Sequence, residues 1–327
     1  MPGITGLHHV TAIAGDAQEN LDFYAGVLGM RLVKRSVNQD VPGTYHLFYA
    51  DGAGTPGTDL TFFPWPDLPQ GRRGNGLAVE VALAVPVGSL EFWRDRLAAH
   101  RVASADPVVR FGESTLTFAD PHGLGLALTE TADDREFAPW AEGPVAPAHQ
   151  IRGLHGVRLF ERALGPTAAF LTGTLGFTKI ADEEGWTRLA AAPGGSGRVI
   201  DIQEQPGVAA GTWGTGSVHH VAWRVPDDAT ELTVRSDIQR AGRSPTGVID
   251  RFWFKSVYFK EPGGTLFEVA TDGPGFAEDE PLESLGSRLV LPPWLEDDRA
   301  SIESAHPPLR EPASSASSDR FLSTPQR

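Results

Sequence analysis

Two short segments of nearly the same sequence, Gly6-Leu7-His8-His9-Val10 and Ser217-Val218-His219-His220-Val221, stand at opposite ends of the chain, and the second is followed by Thr265-Leu266-Phe267-Glu268-Val269. Each reads as a strand. Together they offer two imidazoles and one carboxylate, the ligand set of an open non-haem iron(II) site. Side chains alternate along a strand, so only one histidine of each pair is expected on a given face. Val221, Trp223 and Val225 share a parity with His219 and form the apolar side, which leaves His220 on the other face with Ala222 and Arg224. Phe267 and Val269 turn Glu268 the same way. Aligning Val10 with Val221 makes His9 the counterpart of His220. One histidine pair alone is more simply a half-buried polar pair; repetition in matching contexts beside a carboxylate favours a metal site.

Such a site needs elements that bring distant segments together, and the chain is built by repetition. Phe23-Tyr24-Ala25-Gly26-Val27-Leu28-Gly29-Met30 returns as Phe170-Leu171-Thr172-Gly173-Thr174-Leu175-Gly176-Phe177, each the end of an amphipathic helix with a Leu-Gly stop. The turn Ala119-Asp120-Pro121-His122-Gly123 is echoed by Lys260-Glu261-Pro262-Gly263-Gly264. Inside each half the pattern strand, helix, three strands occurs twice. The four units run from about Leu7 to Pro64, Leu77 to Glu130, Leu154 to Gln203 and Val218 to Thr271. The first helix is expected near Asp16 to Leu28, with Asp16 as N-cap. The fold class is therefore α+β, with four βαβββ modules. The expected division is 1–135, a linker at 136–150 rich in Pro, Ala and Gly, 151–280, and an extension at 281–327. From Pro307 to Arg327 the chain is dense in Ser and Pro, which predicts disorder there.

At 327 residues and 40% hydrophobic content the chain can fill the cores of about two domains. Its formal net charge of -14 argues against nucleic acid or an anionic membrane surface as partner. No apolar run is long enough to span a bilayer and no secretory signal is evident. Cysteine is absent, which excludes disulfides, thiolate ligands and a cysteine nucleophile. A cytoplasmic protein is the expectation, and a homo-oligomer stays open.

Paired βαβββ units with a first-strand His and a last-strand Glu resemble the vicinal-oxygen-chelate superfamily of glyoxalases, extradiol dioxygenases and antibiotic-resistance proteins. The resemblance covers about Ile4 to Gly286. The four-unit length, both His-His pairs, Tyr45-His46-Leu47, Gly54-Thr55-Pro56-Gly57-Thr58 and the run from Arg251 through Tyr258 to Glu268 are similar to the ring-cleaving hydroquinone dioxygenases. This resemblance implies two glyoxalase-like domains with curved mixed sheets, and iron(II), or alternatively manganese(II), bound by His9, His220 and Glu268. The site then joins the first unit to the fourth. Thr61-Phe62-Phe63 stands where unit one would carry a carboxylate, leaving positions for an aromatic substrate and dioxygen. The same resemblance implies that Tyr258 hydrogen-bonds substrate or oxygen-derived groups, that Arg251 favours the anionic substrate, and that His8 and His219 support the ligands. Thr11, on the face of His9, is a further pocket candidate. The equivalent face of units two and three would use Glu80, Ala127 and Gly156, of which only one can bind metal, so one site per chain is expected.

His46, His100, His122, His149, His155 and His306 lack a second ligand at metal spacing and are read as structural or exposed. Gly194-Gly195-Ser196-Gly197 is read as a hairpin turn, since no strand-to-helix context makes it a phosphate cradle. No Gly-x-Ser-x-Gly elbow is present. Phe252-Trp253-Phe254 could wall an aromatic ring or simply pack a core. The competing functions are a catechol extradiol dioxygenase, a glyoxalase-type isomerase with nickel or zinc and a second glutamate, and a metal-free protein that sequesters an aromatic drug.

Overall fold

The computed structural model describes residues 3–133, 135–310 and 312. Unit one comprises β1 (Gly6–Ala14), α1 (Ala17–Leu21), β2 (Arg31–Asn38), β3 (Val41–Ala50) and β4 (Asp59–Pro64). The Asp16 carboxylate caps α1 by accepting from the Glu19 backbone N–H at 2.8 Å. The expected helix does not run on as α to Leu28. From Asp22 to Val27 it widens into a π-helical turn, with the Leu28 N–H reaching back to the Phe23 carbonyl, and Gly29 ends it at φ 69°.

Units two to four repeat the order. They are β5 (Leu77–Pro86), α2 (Leu90–Ala99), β6 (Val108–Arg110), β7 (Glu113–Ala119) and β8 (Gly125–Thr131); then β9 (Gly153–Glu161), α3 (Leu164–Gly173), β10 (Thr178–Glu183), β11 (Trp186–Ala190) and β12 (Val199–Glu204); then β13 (Val218–Val225), α4 (Asp228–Arg240), β14 (Ile249–Asp250), β15 (Lys255–Lys260) and β16 (Leu266–Thr271).

These strands form two eight-stranded sheets, in the orders β14-β15-β16-β13-β1-β4-β3-β2 and β10-β11-β12-β9-β5-β8-β7-β6. Units one and four share the first sheet; units two and three share the second. Each sheet therefore takes one unit from either side of the 136–150 segment, and the halves in chain order are not each a sheet. The joining contacts are antiparallel pairs of first strands, β1 with β13 and β5 with β9, while the first and last strands within each unit run parallel. One face of each sheet lies under the helices, where Trp223, Phe267, Val221 and Leu21 are fully buried in one continuous core. Edge-to-face contact of Trp223 with Phe267 and Phe177 adds to the area these rings remove from water.

After β16 the apolar periodicity fades, yet the chain stays folded. Short 3₁₀ turns at Phe276–Glu278, Leu282–Ser284 and Pro293–Asp298 lead into α5 (Arg299–Ala305). The extension lies along β2: the Val290 N–H donates to the Arg35 carbonyl at 3.0 Å, and the Ser36 hydroxyl donates to the Val290 carbonyl at 2.8 Å. Lys34, fully buried, donates to Asp279 at 2.8 Å, Glu280 at 2.5 Å and the Phe276 carbonyl at 3.0 Å. Pro307 and Arg310 are also tied down, by the Tyr45 hydroxyl and the Gln18 amide. Beyond Arg310, the segment expected to be disordered lies outside the described residues, apart from Pro312. Among the described residues no helix is long and apolar enough to cross a membrane.

Candidate metal centre

The first sheet places His9 on β1, His220 on β13 and Glu268 on β16, three neighbouring strands. Their ligand atoms form a small triangle. His9 Nε2 is 3.2 Å from His220 Nε2 and 3.3 Å from Glu268 Oε2, and His220 Nε2 is 3.0 Å from Glu268 Oε2. Such edges match one face of an octahedron with arms of about 2.2 Å, the length of metal bonds to nitrogen and oxygen. All three residues are buried, and Glu268 Oε2 is a desolvated carboxylate oxygen with no hydrogen-bond partner among the described residues. A buried carboxylate left so costs several kcal/mol unless a cation completes it, on the order of what a lost charged partner costs. The donor set fits a divalent metal, and among the described residues it is the one such group of three.

Strict alternation does not hold at either histidine pair. The β1–β13 register slips at His8 and again at His219, a bulge in each strand that brings both members of each pair to one side. His8 and His9 both meet the Phe254 ring, at centroid distances of 5.1 and 5.3 Å. His219 thus leaves the apolar face expected for it and joins Phe63, Trp65 and the stacked indole of Trp213.

The bulges let each pair share a hydrogen bond. His8 Nδ1 lies 2.8 Å from His9 Nδ1, and His8 Nε2 lies 3.1 Å from the Thr271 carbonyl. A carbonyl only accepts, so His8 carries its proton on Nε2 and accepts from His9 Nδ1–H. That leaves the His9 Nε2 lone pair facing the triangle. His219 and His220 repeat the contact, Nδ1 to Nδ1 at 2.8 Å. Burial first, and the neighbouring imidazole second, lower His8 to about 3 and His219 to about 3, so both are neutral. Ser256, unremarked in the sequence, donates to the other Glu268 oxygen at 2.5 Å. A small serine on β15 carries no signal of its own; only the register with β16 reveals it.

A cavity opens over the triangle, with about 380 Å³ of empty space including its mouth. Phe48, Phe63, Trp253 and Phe254 supply flat apolar walls, so the aromatic run after Arg251 does wall a pocket. Phe252 takes a left-handed backbone, φ 73°, a strain held by its N–H to Asp250 and by the Arg251 N–H to the Phe254 carbonyl. This turn directs Trp253 and Phe254 inward, and the Trp253 indole N–H is fixed at 3.0 Å by Asp279 of the extension.

Tyr258 stands directly opposite Glu268 in the register and meets the His220 ring edge-on at 5.6 Å. Burial, then the Glu268 charge, push its phenol above the ordinary value, so it stays protonated at neutral pH. Arg251 lies 5.4 Å over the Tyr258 ring and pairs with Asp40 at 2.9 Å at the cavity mouth. Thr11 is fully buried and bonds the Thr61 hydroxyl at 2.7 Å rather than lining the cavity.

His46 corrects the sequence reading. It lines the cavity, with its ring against Phe48 and Phe63 at 3.8 and 4.4 Å and its Nε2 3.0 Å from the Thr61 hydroxyl. Its place on β3, across from Phe63, could be found only once the β3–β4 register was known. The other histidines sit elsewhere: His149 stacks on Phe92, His155 bonds Ser196 and His306 bonds the Ile302 carbonyl.

The second sheet shows what the equivalent face became. Glu80 is paired with Arg110 at 2.7 Å, and Arg188 grips Asp201 through two bonds of 2.7 and 3.0 Å. Arg110, Arg158 and Arg188 line that face beside Glu80 and Asp201, and Gly156 and Ala127 offer no donor side chain.

The model of the Glyoxalase/Bleomycin resistance protein/Dioxygenase superfamily matches residues 6–128. The chain is 44% identical over 298 residues to a Bacillus subtilis (strain 168) protein named “Putative ring-cleaving dioxygenase MhqO”, covering 91% of this chain and 94% of that one. It is 32% identical over 299 residues to the chlorohydroquinone/hydroquinone 1,2-dioxygenase of Sphingobium indicum (strain DSM 16413 / UT26S), covering 90% and 93%. A crystal structure of a “putative dioxygenase from Bacillus subtilis subsp. subtilis str. 168” superposes with a TM-score of 0.90 at 42% identity, covering 95% of this chain and 99% of that one. With likeness running through nearly its whole length, the chain belongs to the glyoxalase, bleomycin-resistance and dioxygenase superfamily, among relatives named as ring-cleaving dioxygenases.

Proposed function

We propose that the protein is an iron(II)-dependent dioxygenase that opens hydroquinone-type aromatic rings with dioxygen, its metal held by His9, His220 and Glu268. The observation that carries this reading is the triangle of buried donors at the floor of an aromatic-walled cavity. When bound, iron(II) brings an aromatic oxygen and dioxygen to one centre and passes electrons between them. Manganese(II) accepts the same donors.

The residues divide the remaining work. Phe48, Phe63, Trp253 and Phe254 hold a flat ring and keep water away, which strengthens every charge interaction inside. Arg251, a cation paired with Asp40, favours an anionic aromatic oxygen. Tyr258 keeps its proton and donates it, or a hydrogen bond, to oxygen that gains negative charge during ring opening. Thr61 lies beside Thr11 on β4, as Glu268 lies beside Ala222 on β16. The place a fourth carboxylate would take therefore holds a short hydroxyl, which disfavours a glyoxalase-type ligand set and leaves room for substrate.

The test is anaerobic purification, iron(II) reconstitution, and oxygen uptake with a panel of hydroquinones and catechols. Ring opening of hydroquinones ahead of catechols is expected. Strong preference for every catechol would move the protein to the extradiol branch, and no uptake with either class would favour an aromatic-binding protein.

A further inference from the structure

The cavity has two walls of different chemistry. From unit four come Arg251, a cation, and Tyr258, an acid hydroxyl. Unit one presents Phe48, Phe63, His46 on β3 and Asn38 on β2, and its carboxylate Asp40 is taken up by Arg251. On each side a residue of the third strand bonds the last strand at matching places: Ser256 holds Glu268, and His46 holds Thr61. The serine is used up by the ligand it supports, whereas the imidazole has a second nitrogen.

Most polar groups of the cavity are already engaged. The Arg251 guanidinium faces Asp40, the Gln39 amide donates to the Arg251 carbonyl, and the Asn38 oxygen accepts from the Asp40 and Val41 N–H groups. His46 Nδ1 and the Asn38 amide nitrogen have no hydrogen-bond partner among the described residues. If Thr61 donates to His46 Nε2, then Nδ1–H is a donor; if Nε2–H donates to Thr61, Nδ1 is an acceptor. A neutral hydroxyl suits either state. An anion suits neither as well as it suits Arg251.

We propose that His46, seated by Thr61 and aided by Asn38, binds the second, uncharged hydroxyl of the substrate and thereby selects a 1,4-diol. The idea rests on the hydroquinone reading above. A 1,4-diol places its oxygens at opposite ends of the ring and spans both walls, one oxygen beside the metal triangle and Arg251, the other at His46. A 1,2-diol carries both oxygens on one edge and leaves His46 unpaired against an apolar ring edge. Sites built to hydrogen-bond a hydroxyl reject the analogue that lacks it, because the buried partner is left without a bond.

The experiment is calorimetric titration of the iron(II)-loaded full chain under argon, with hydroquinone and with 4-methylphenol, in which a methyl replaces the second hydroxyl. The unchanged protein is expected to bind hydroquinone tenfold or more tightly, roughly the effect of one lost hydrogen bond in a closed site. His46→Phe keeps an aromatic ring in the wall and should bring the two ligands to equal affinity, with 4-methylphenol unaffected. His46→Gln, which restores a polar atom, should recover part of the preference. A preference that survives His46→Phe overturns the assignment, and so does equal binding by the unchanged protein. Oxygen uptake is measured separately: hydroquinone turnover with no binding preference sinks this inference alone, while absence of turnover with every ring tested sinks the ring-cleaving reading.

Discussion

His8 accepts a hydrogen bond from His9, Nδ1 to Nδ1 at 2.8 Å, and donates its own Nε2–H to the Thr271 carbonyl at the end of β16. One backbone carbonyl thereby fixes the tautomer of a donor two strands away. The β-bulge makes this contact possible, since adjacent residues in a regular strand face opposite sides.

Replacing the supporting imidazole should therefore weaken metal binding without removing a ligand. For His8→Phe we expect iron(II) affinity to fall about 10- to 100-fold, the usual cost of losing a group that orients a ligand. Ser256→Ala, which frees a Glu268 oxygen, should act in the same range. Competition titrations with a metal chelator measure both, and unchanged affinity in both variants contradicts the support role.

Because each sheet takes one unit from either half of the chain, the halves should not work alone. Fragments 1–145 and 146–327, expressed separately, should each lack a stable metal site, and mixing them should restore one if they find each other. Stoichiometric iron(II) on fragment 146–327 alone contradicts a centre that needs His9.

Lys34 carries a stability prediction. Its ammonium is fully buried against Asp279 and Glu280, so Lys34→Met strands two carboxylates, Glu280 being buried as well. Breaking one side of such a pair costs about 3–5 kcal/mol. Thermal unfolding should show this loss. Substrate affinity should weaken too, since Asp279 also holds the Trp253 wall.

A pH effect follows from Glu161 on β9. Burial first, and the neighbouring Glu261 second, raise its carboxyl to about 8. The folded value exceeds the unfolded one, so the stabilisation is complete below about pH 4.5 and is lost as pH rises through about 8. Melting temperature followed between about pH 5 and 9 should fall more steeply for the unchanged protein than for Glu161→Gln. Parallel curves contradict a raised Glu161 carboxyl.

The sequence made much of this legible, for identifiable reasons. Repeated Leu-Gly helix stops and Pro-Gly turns mark four units because Gly29 and Gly176 need a left-handed backbone that few residues adopt. His9, His220 and Glu268 stood out by residue type and repetition. The bulges did not, since two adjacent histidines look the same in a regular strand and in a bulged one. Ser256 and His46 were hidden because their roles depend on register between strands, which no local pattern encodes. The folded extension was missed because 3₁₀ turns and coil held by Lys34 and Ser36 carry no hydrophobic period.

The central claim is that His9, His220 and Glu268 hold one metal on which ring cleavage depends. Iron(II) titration under argon, followed by oxygen uptake with hydroquinone on the same samples, tests it most directly. One iron per unchanged chain with uptake is expected, and His220→Ala and Glu268→Gln should lose both together. Full iron occupancy and undiminished uptake in those two variants would contradict the account.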